Sequence, residues 1–226
     1  MEISRRGWVI LVGTFVATLP SLAFAADSRA ECAEKLKRIG AALQKHHEAH
    51  DAYPGNIVDQ DGKPLLSWRV ALLPFLEKQA GLHDKFRLDE PWDSPRNKSL
   101  LGSIPDVFRC SARSHPRAGD THYRGFDGRG TFFESGRKVG LAAIIDGPSN
   151  SLAVVESKEG TPWTKPDDLP FDESAPPSPS LYGAGSEHPD GFNALFADGS
   201  VRFLKTTIKP AWFKAIITVA GGEPFD

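Results

Sequence analysis

His188-Pro-Asp-Gly-Phe-Asn-Ala-Leu-Phe-Ala-Asp198-Gly199-Ser-Val-Arg-Phe-Leu204 is the stretch that decides the fold. Phe192, Ala194 and Phe196 alternate with Asn193, Leu195 and Ala197. Beyond Asp198 and Gly199, Val201 and Phe203 alternate with Arg202 and Leu204. A period of two marks a strand with two different faces, and an Asp-Gly pair between two such runs marks a β-hairpin. A tight primed turn needs positive φ, which glycine adopts freely and aspartate tolerates. The turn is therefore expected at Asp198 and Gly199.

Working outward, Cys32, Leu36, Ile39 and Leu43, then His46 or His47, recur at three- and four-residue steps. They predict one helix with an apolar stripe, and Lys35, Lys37, Arg38, Gln44 and Lys45 fill its other face. Ser28 with Glu31 fits a capping box at its start, and Pro54-Gly55 ends it. Shorter helices are expected over residues 68–77, 82–86 and 95–101, the last capped by Ser94 ahead of Pro95. Short β-like runs follow at 107–110, 122–126, 130–133, 141–145 and 152–156. Residues 164–185, rich in Pro, Ser, Asp and Glu, predict a surface loop. Residues 209–220 predict a short final helix burying Trp212, Phe213, Ile216 and Ile217. Helices first and hairpins later give an α+β domain. Its N-terminal helix packs on a twisted antiparallel sheet, with inserted loops and a short C-terminal helix.

Residues 1–25 read as a signal peptide. Arg5 and Arg6 are basic, residues 8–22 are almost wholly apolar, and Ala23-Phe24-Ala25 puts small residues where a signal peptidase reads. Cleavage after Ala25 leaves one domain over residues 26–226. Left uncut, the apolar run approaches the ~20 residues that span a bilayer, so membrane contact is expected only in that case. The formal net charge of −2 shows no basic excess, which argues against nucleic acid or anionic lipid as a partner. Cys32 and Cys110 permit one disulfide in an oxidising compartment; otherwise they are two buried thiols.

Candidate chemistry is sparse. His46 and His50 are four apart and form a weak metal pair, but the H-E-x-x-H pattern fails because residue 51 is Asp. Histidines at a helix C-terminus also simply favour the dipole. His188 and Asp198 suit a base or ligand held by a carboxylate, or an anchor at the hairpin entry. Trp92 and Trp163 sit beside Pro, Asp or Lys, where they either stack on a ligand or glue loops to the sheet. Asp59, Asp61 and Gly62 imitate the start of a calcium loop whose twelfth position falls on Val70. Asp89, Glu90 and Asp93, and Asp167, Asp168 and Asp172, are further acidic groups that suit weak Ca²⁺ binding. No other cofactor is expected. Phosphate-loop, dinucleotide and C-x-x-C patterns are absent.

The spacing from His188 to Asp198-Gly199, H-x9-D-G, resembles DUF1559, a large family of exported bacterial proteins of unknown function that look like type IV pilin relatives. Residues 32–54, 61–76, 88–101, 146–156 and 162–169 also look like family blocks. The resemblance implies a pilin-like fold and a periplasmic or extracellular location, and implies no reaction. One departure is Val12, which occupies the place of the prepilin leader glutamate, so assembly into a fibre is not implied. The expectation is a non-catalytic envelope or extracellular protein acting by binding or assembly with a partner there. Its working surface would lie around Trp92, Trp163 and His188. The alternatives are a periplasmic metal-dependent hydrolase using His188, Asp198 and His122, and a solute-binding module with a concave pocket.

Overall fold

The computed structural model describes residues 20–112, 117–174 and 182–222. The expected leader at 1–25 lies outside them except for residues 20–25, which begin the first helix. That helix, α1, spans Pro20–His50 and so starts well ahead of the predicted capping box. The reason is local: Leu22, Ala23, Ala25 and Ala26 are good helix formers, and proline is tolerated in a first turn. Asp51, at φ 54, stops α1 before Pro54 is reached, and its N–H donates to His47 O.

Short helices α2 (Trp68–Ala71), α3 (Ala80–His83) and α4 (Pro95–Lys98) follow, and α5 (Pro210–Ile217) ends the domain. Ser67 and Ser94 cap α2 and α4 through their side-chain oxygens. The strands are β1 (Ile57–Val58), β2 (Pro64–Leu66), β3 (Asp120–Arg124), β4 (Phe126–Asp127), β5 (Leu152–Pro162), β6 (Leu169–Pro170), β7 (Gly191–Phe196) and β8 (Val201–Lys205). The main sheet is antiparallel, in the order β3-β5-β7-β8. The α+β architecture is thus the expected one.

Several predicted strands are something else. Asp106–Phe108 and Leu141–Ala143 are 3₁₀ turns, and the run at 130–133 contributes only a bridge from Thr131 to Thr218. A short apolar run buries its side chains equally well in a turn that docks on the core, so periodicity does not separate the two. The stretch predicted as a surface loop is docked in part. β6 pairs in parallel with β4, and Phe171 and Tyr182 are buried; residues 175–181 lie outside the described residues.

The sheet has one hydrophobic core on each face. α1 covers one, where Cys32, Leu36, Ile39, Leu43, Val154 and Leu195 meet. α5 covers the other, where Phe213, Ile216 and Ile217 meet Phe192, Ala194, Phe196 and Val155. The alternation read in β7 is therefore the division between two cores. In β5 the register shifts between Leu152 and Val154. Ala153 and Val154 both join the α1 side, Val155 returns to the α5 side, and Glu156 comes to lie beneath α1. A one-residue insertion exchanges the faces of everything after it, so this irregularity is what brings a carboxylate to the α1 side.

The hairpin turn differs from the predicted one. Leu195 pairs with Val201, Gly199 N–H donates to Phe196 O, and Phe196 N–H donates to Ser200 O. Only Gly199, at φ 83, is left-handed; Asp198 is not. This is a type I turn closed by a left-handed glycine, the three-residue hairpin solution. The Asp198 carboxylate accepts from Ser200 N–H at 2.8 Å, which stabilises that turn. Among the described residues, no helix is long and apolar enough to cross a membrane.

Candidate functional site

The motif histidine lies in the interior. His188 Nε2 is 3.2 Å from Glu156 Oε1, and both side chains are 1% exposed. Glu156 is held on both oxygens: Oε2 accepts Asn193 N–H at 2.7 Å, and Oε1 also accepts from Asn193 Nδ2 at 3.2 Å. Asn193 Nδ2 reaches on to Arg29 O of α1 at 3.2 Å. Helix, β5, β7 and the hairpin entry are thereby joined through one carboxylate. The carboxylate sequence reading paired with His188 was Asp198, but that side chain is exposed and occupied by its own turn. Glu156 takes its place.

Cys32 completes the cluster. Its sulfur lies within 4.8 Å of a His188 ring nitrogen and a Glu156 oxygen, and all three residues are buried. Cys110 Sγ is 3.6 Å from Cys32 Sγ, and both cysteines are free. Lys35 holds Cys110 in place. Its ammonium bonds Arg109 O at 3.2 Å and Ser111 Oγ at 2.9 Å, on either side of the cysteine. Lys35 was assigned to the solvent face of α1; its Glu31, Asp106 and Ser111 partners let it be buried instead.

The electrostatics follow from this packing. The bond from Cys110 lowers the Cys32 thiol, with His188 and Tyr123 adding to it against the cost of burial. The same bond, with burial, raises Cys110. Burial opposes a charged His188, but Cys32 and Glu156 outweigh it and raise the imidazole to about 9. Burial also raises Glu156, only partly offset by His188 and Asn193 N–H. His188 and Tyr123 lie close enough to Cys32 to favour negative charge on its sulfur, while His188 Nδ1 and the Tyr123 hydroxyl make no hydrogen bond of good geometry. A thiolate, an imidazole and a carboxylate are the donors a soft divalent ion takes, so Cys32, His188 and Glu156 are the residues that could hold one.

The other candidates do not join this cluster. His122 Nδ1 is bonded to Ser157 O. His46 bonds Ala52 O through Nδ1 at 2.8 Å, with its ring 4.5 Å from that of His50. Both line an open cleft of about 450 Å³ with Tyr53, Asn56, Glu134 and Arg137. Trp163 is fully buried, donates to Leu101 O and stacks on Phe108. Trp92 is half-buried under Lys165. Among the acidic groups, Asp59 and Asp172 accept from their own loop N–H groups, whereas Asp168 lies in the core.

Sequence reading missed that last centre. Asp168 Oδ1 accepts from Arg69 at 3.2 Å, Trp68 Nε1 at 3.1 Å and Gly125 N–H at 3.0 Å. Arg69, fully buried, also donates to Tyr123 O and lies over the Trp68 ring. Burial lowers it to about 10 although Asp168 opposes the shift. A lone arginine in an apolar run, Trp68-Arg69-Val70, was the only signal, and it gave no hint of its partner 99 residues away.

No curated protein and no solved structure matches the chain. A family model does, over residues 28–133 and 170–211, stretches that hold Cys32, Cys110 and His188 but not Glu156. The chain belongs to that family, described as protein of unknown function (DUF1559).

Proposed function

We propose that this is an exported protein of the cell envelope or extracellular space, pilin-like in build, that acts by binding or assembly rather than by turnover. The observation that carries the reading is the place of the motif histidine. His188 spends both its position and its charge on Glu156, inside the seam between α1 and the hairpin. A base or nucleophile must reach a substrate. Cys32, Glu156 and His188 are all enclosed, so their chemistry serves the fold. The long α1 lying along an antiparallel sheet, with an apolar segment at 8–22 that runs into its start in sequence, supports the pilin-like part.

A hydrolase built from His188, Asp198 and His122 has less support, since each is committed to a different partner. The cleft beside His46 and His50 gives the solute-binding reading a specific place, and it is the surface where binding would be sought. The test is cell fractionation of the full chain, with cross-linking of the native protein in the envelope. Recovery outside the cytoplasm in cross-linked assemblies is expected. His188→Ala should lose both assembly and thermal stability. A stable His188→Ala protein that assembles normally would overturn the structural role given to the motif.

A further inference from the structure

We propose that Cys32 of α1 and Cys110 of the segment ahead of β3 close a disulfide in the mature protein. The proposal rests on the exported reading for its oxidant, a small-molecule or protein disulfide of an oxidising compartment.

The geometry is already near the product. The sulfurs touch at 3.6 Å, against a bond of about 2.05 Å. Lys35 ties the Arg109 carbonyl and the Ser111 hydroxyl, on either side of Cys110, to α1, so the closing movement is small. Cys32 is fully buried and Cys110 is 8% exposed, so an oxidant meets Cys110 first. Cys110 loses its proton to water and attacks one sulfur of the oxidant, whose S–S bond breaks and releases a first thiolate. Cys32, as thiolate, then attacks Cys110 Sγ and expels the second. Two electrons pass from the cysteine pair to the oxidant, whose two released thiolates take up protons from water, replacing those the cysteines gave to it.

The Cys32 sulfur also lies within 4.8 Å of a ligand atom of His188 and of Glu156. A metal is the competing fate of the same sulfur. It would have to take Glu156 away from His188 and Asn193, bonds the carboxylate already makes with both oxygens.

The experiment uses the purified full chain, reduced and then held in a glutathione redox buffer. Thiol alkylation, mass spectrometry of the cross-linked peptide and elemental analysis of the untreated protein are the readouts. One Cys32–Cys110 link is expected. Two free thiols in excess oxidised glutathione, or stoichiometric zinc that shields the thiols until chelated, would overturn the disulfide. Fractionation reports location separately, so a link that forms in vitro in a protein retained in the cytoplasm would count against the exported reading alone.

Discussion

His188 and Glu156 illustrate why a buried ion pair is fragile: each partner justifies the burial of the other. Truncating one leaves the other charge enclosed. His188→Ala is expected to cost roughly 3–5 kcal/mol in urea unfolding of the reduced protein. The pair also sets a pH dependence. His188 is raised to about 9 in the fold, against about 6.5 when unfolded. A raised histidine contributes stability that is complete below pH 6.5 and is lost as the pH climbs to about 9. Glu156, raised by burial, acts in the same direction, but the lowered Cys32 opposes His188 over this range, because an unfolded thiol still holds its proton there, and the raised Cys110 acts only above about pH 9. Denaturation of the reduced protein should therefore show little change between pH 6.5 and 9, whereas Cys32→Ser, which removes the opposing thiol and leaves Glu156 beside His188, should lose stability as the pH rises above 6.5; a flat profile in that variant would contradict the pairing. Arg69 follows the same logic at the second buried centre. Arg69→Met strands Asp168, and a loss of about 3–5 kcal/mol is expected in the same assay.

Between elements, the decisive contact is α1 on the hairpin. Gln44 Nε2 donates to Ala197 O at 2.7 Å near one end, and Asn193 reaches Arg29 O at the other. Between them sits Gly40, where an added Cβ would lie 2.8 Å from Leu195 Cδ1 and 3.3 Å from the Gly199 backbone. Gly40→Val is expected to cost roughly 1–3 kcal/mol by overpacking, read from a chemical-denaturation midpoint. Gly40→Ala should cost less, because the Leu195 side chain can shift and alanine favours the helix. The apolar stripe of α1 was legible from spacing alone, and so was the inside-outside pattern of β7. The register shift in β5 was not. Nothing in Leu-Ala-Val-Val-Glu shows where a strand slips by one residue, because register is set by the partner strand.

Over the whole molecule, the Cys32–Cys110 pair spans 78 residues and joins α1 to the segment that precedes β3. In a chain-entropy account, a link closing a loop of that size stabilises by about 4.5 kcal/mol. For a domain of this length that corresponds to a fall in Tm of roughly 10 °C on reduction. Calorimetry with and without reductant checks it, and the Cys32→Ser protein should melt like the reduced one.

Local chemistry determined the elements that depend on neighbours in the chain. The amphipathic stripe from Cys32 to Leu43, the serine caps at Ser67 and Ser94, the two-faced strand after Gly191 and the turn glycine at Gly199 each have a cause within a few residues. What brings Cys32, Cys110, Glu156 and His188 together lies far apart in sequence and has no local signature. Glu156 lies at the end of an apolar run that ends as many surface strands do, and only the slipped register of β5 turns it inward. Asp198, conspicuous beside its glycine, stays at the surface because its own turn satisfies it. Burial of a charge depends on which partners the whole fold delivers, so the tertiary structure alone decided which carboxylate the motif histidine meets.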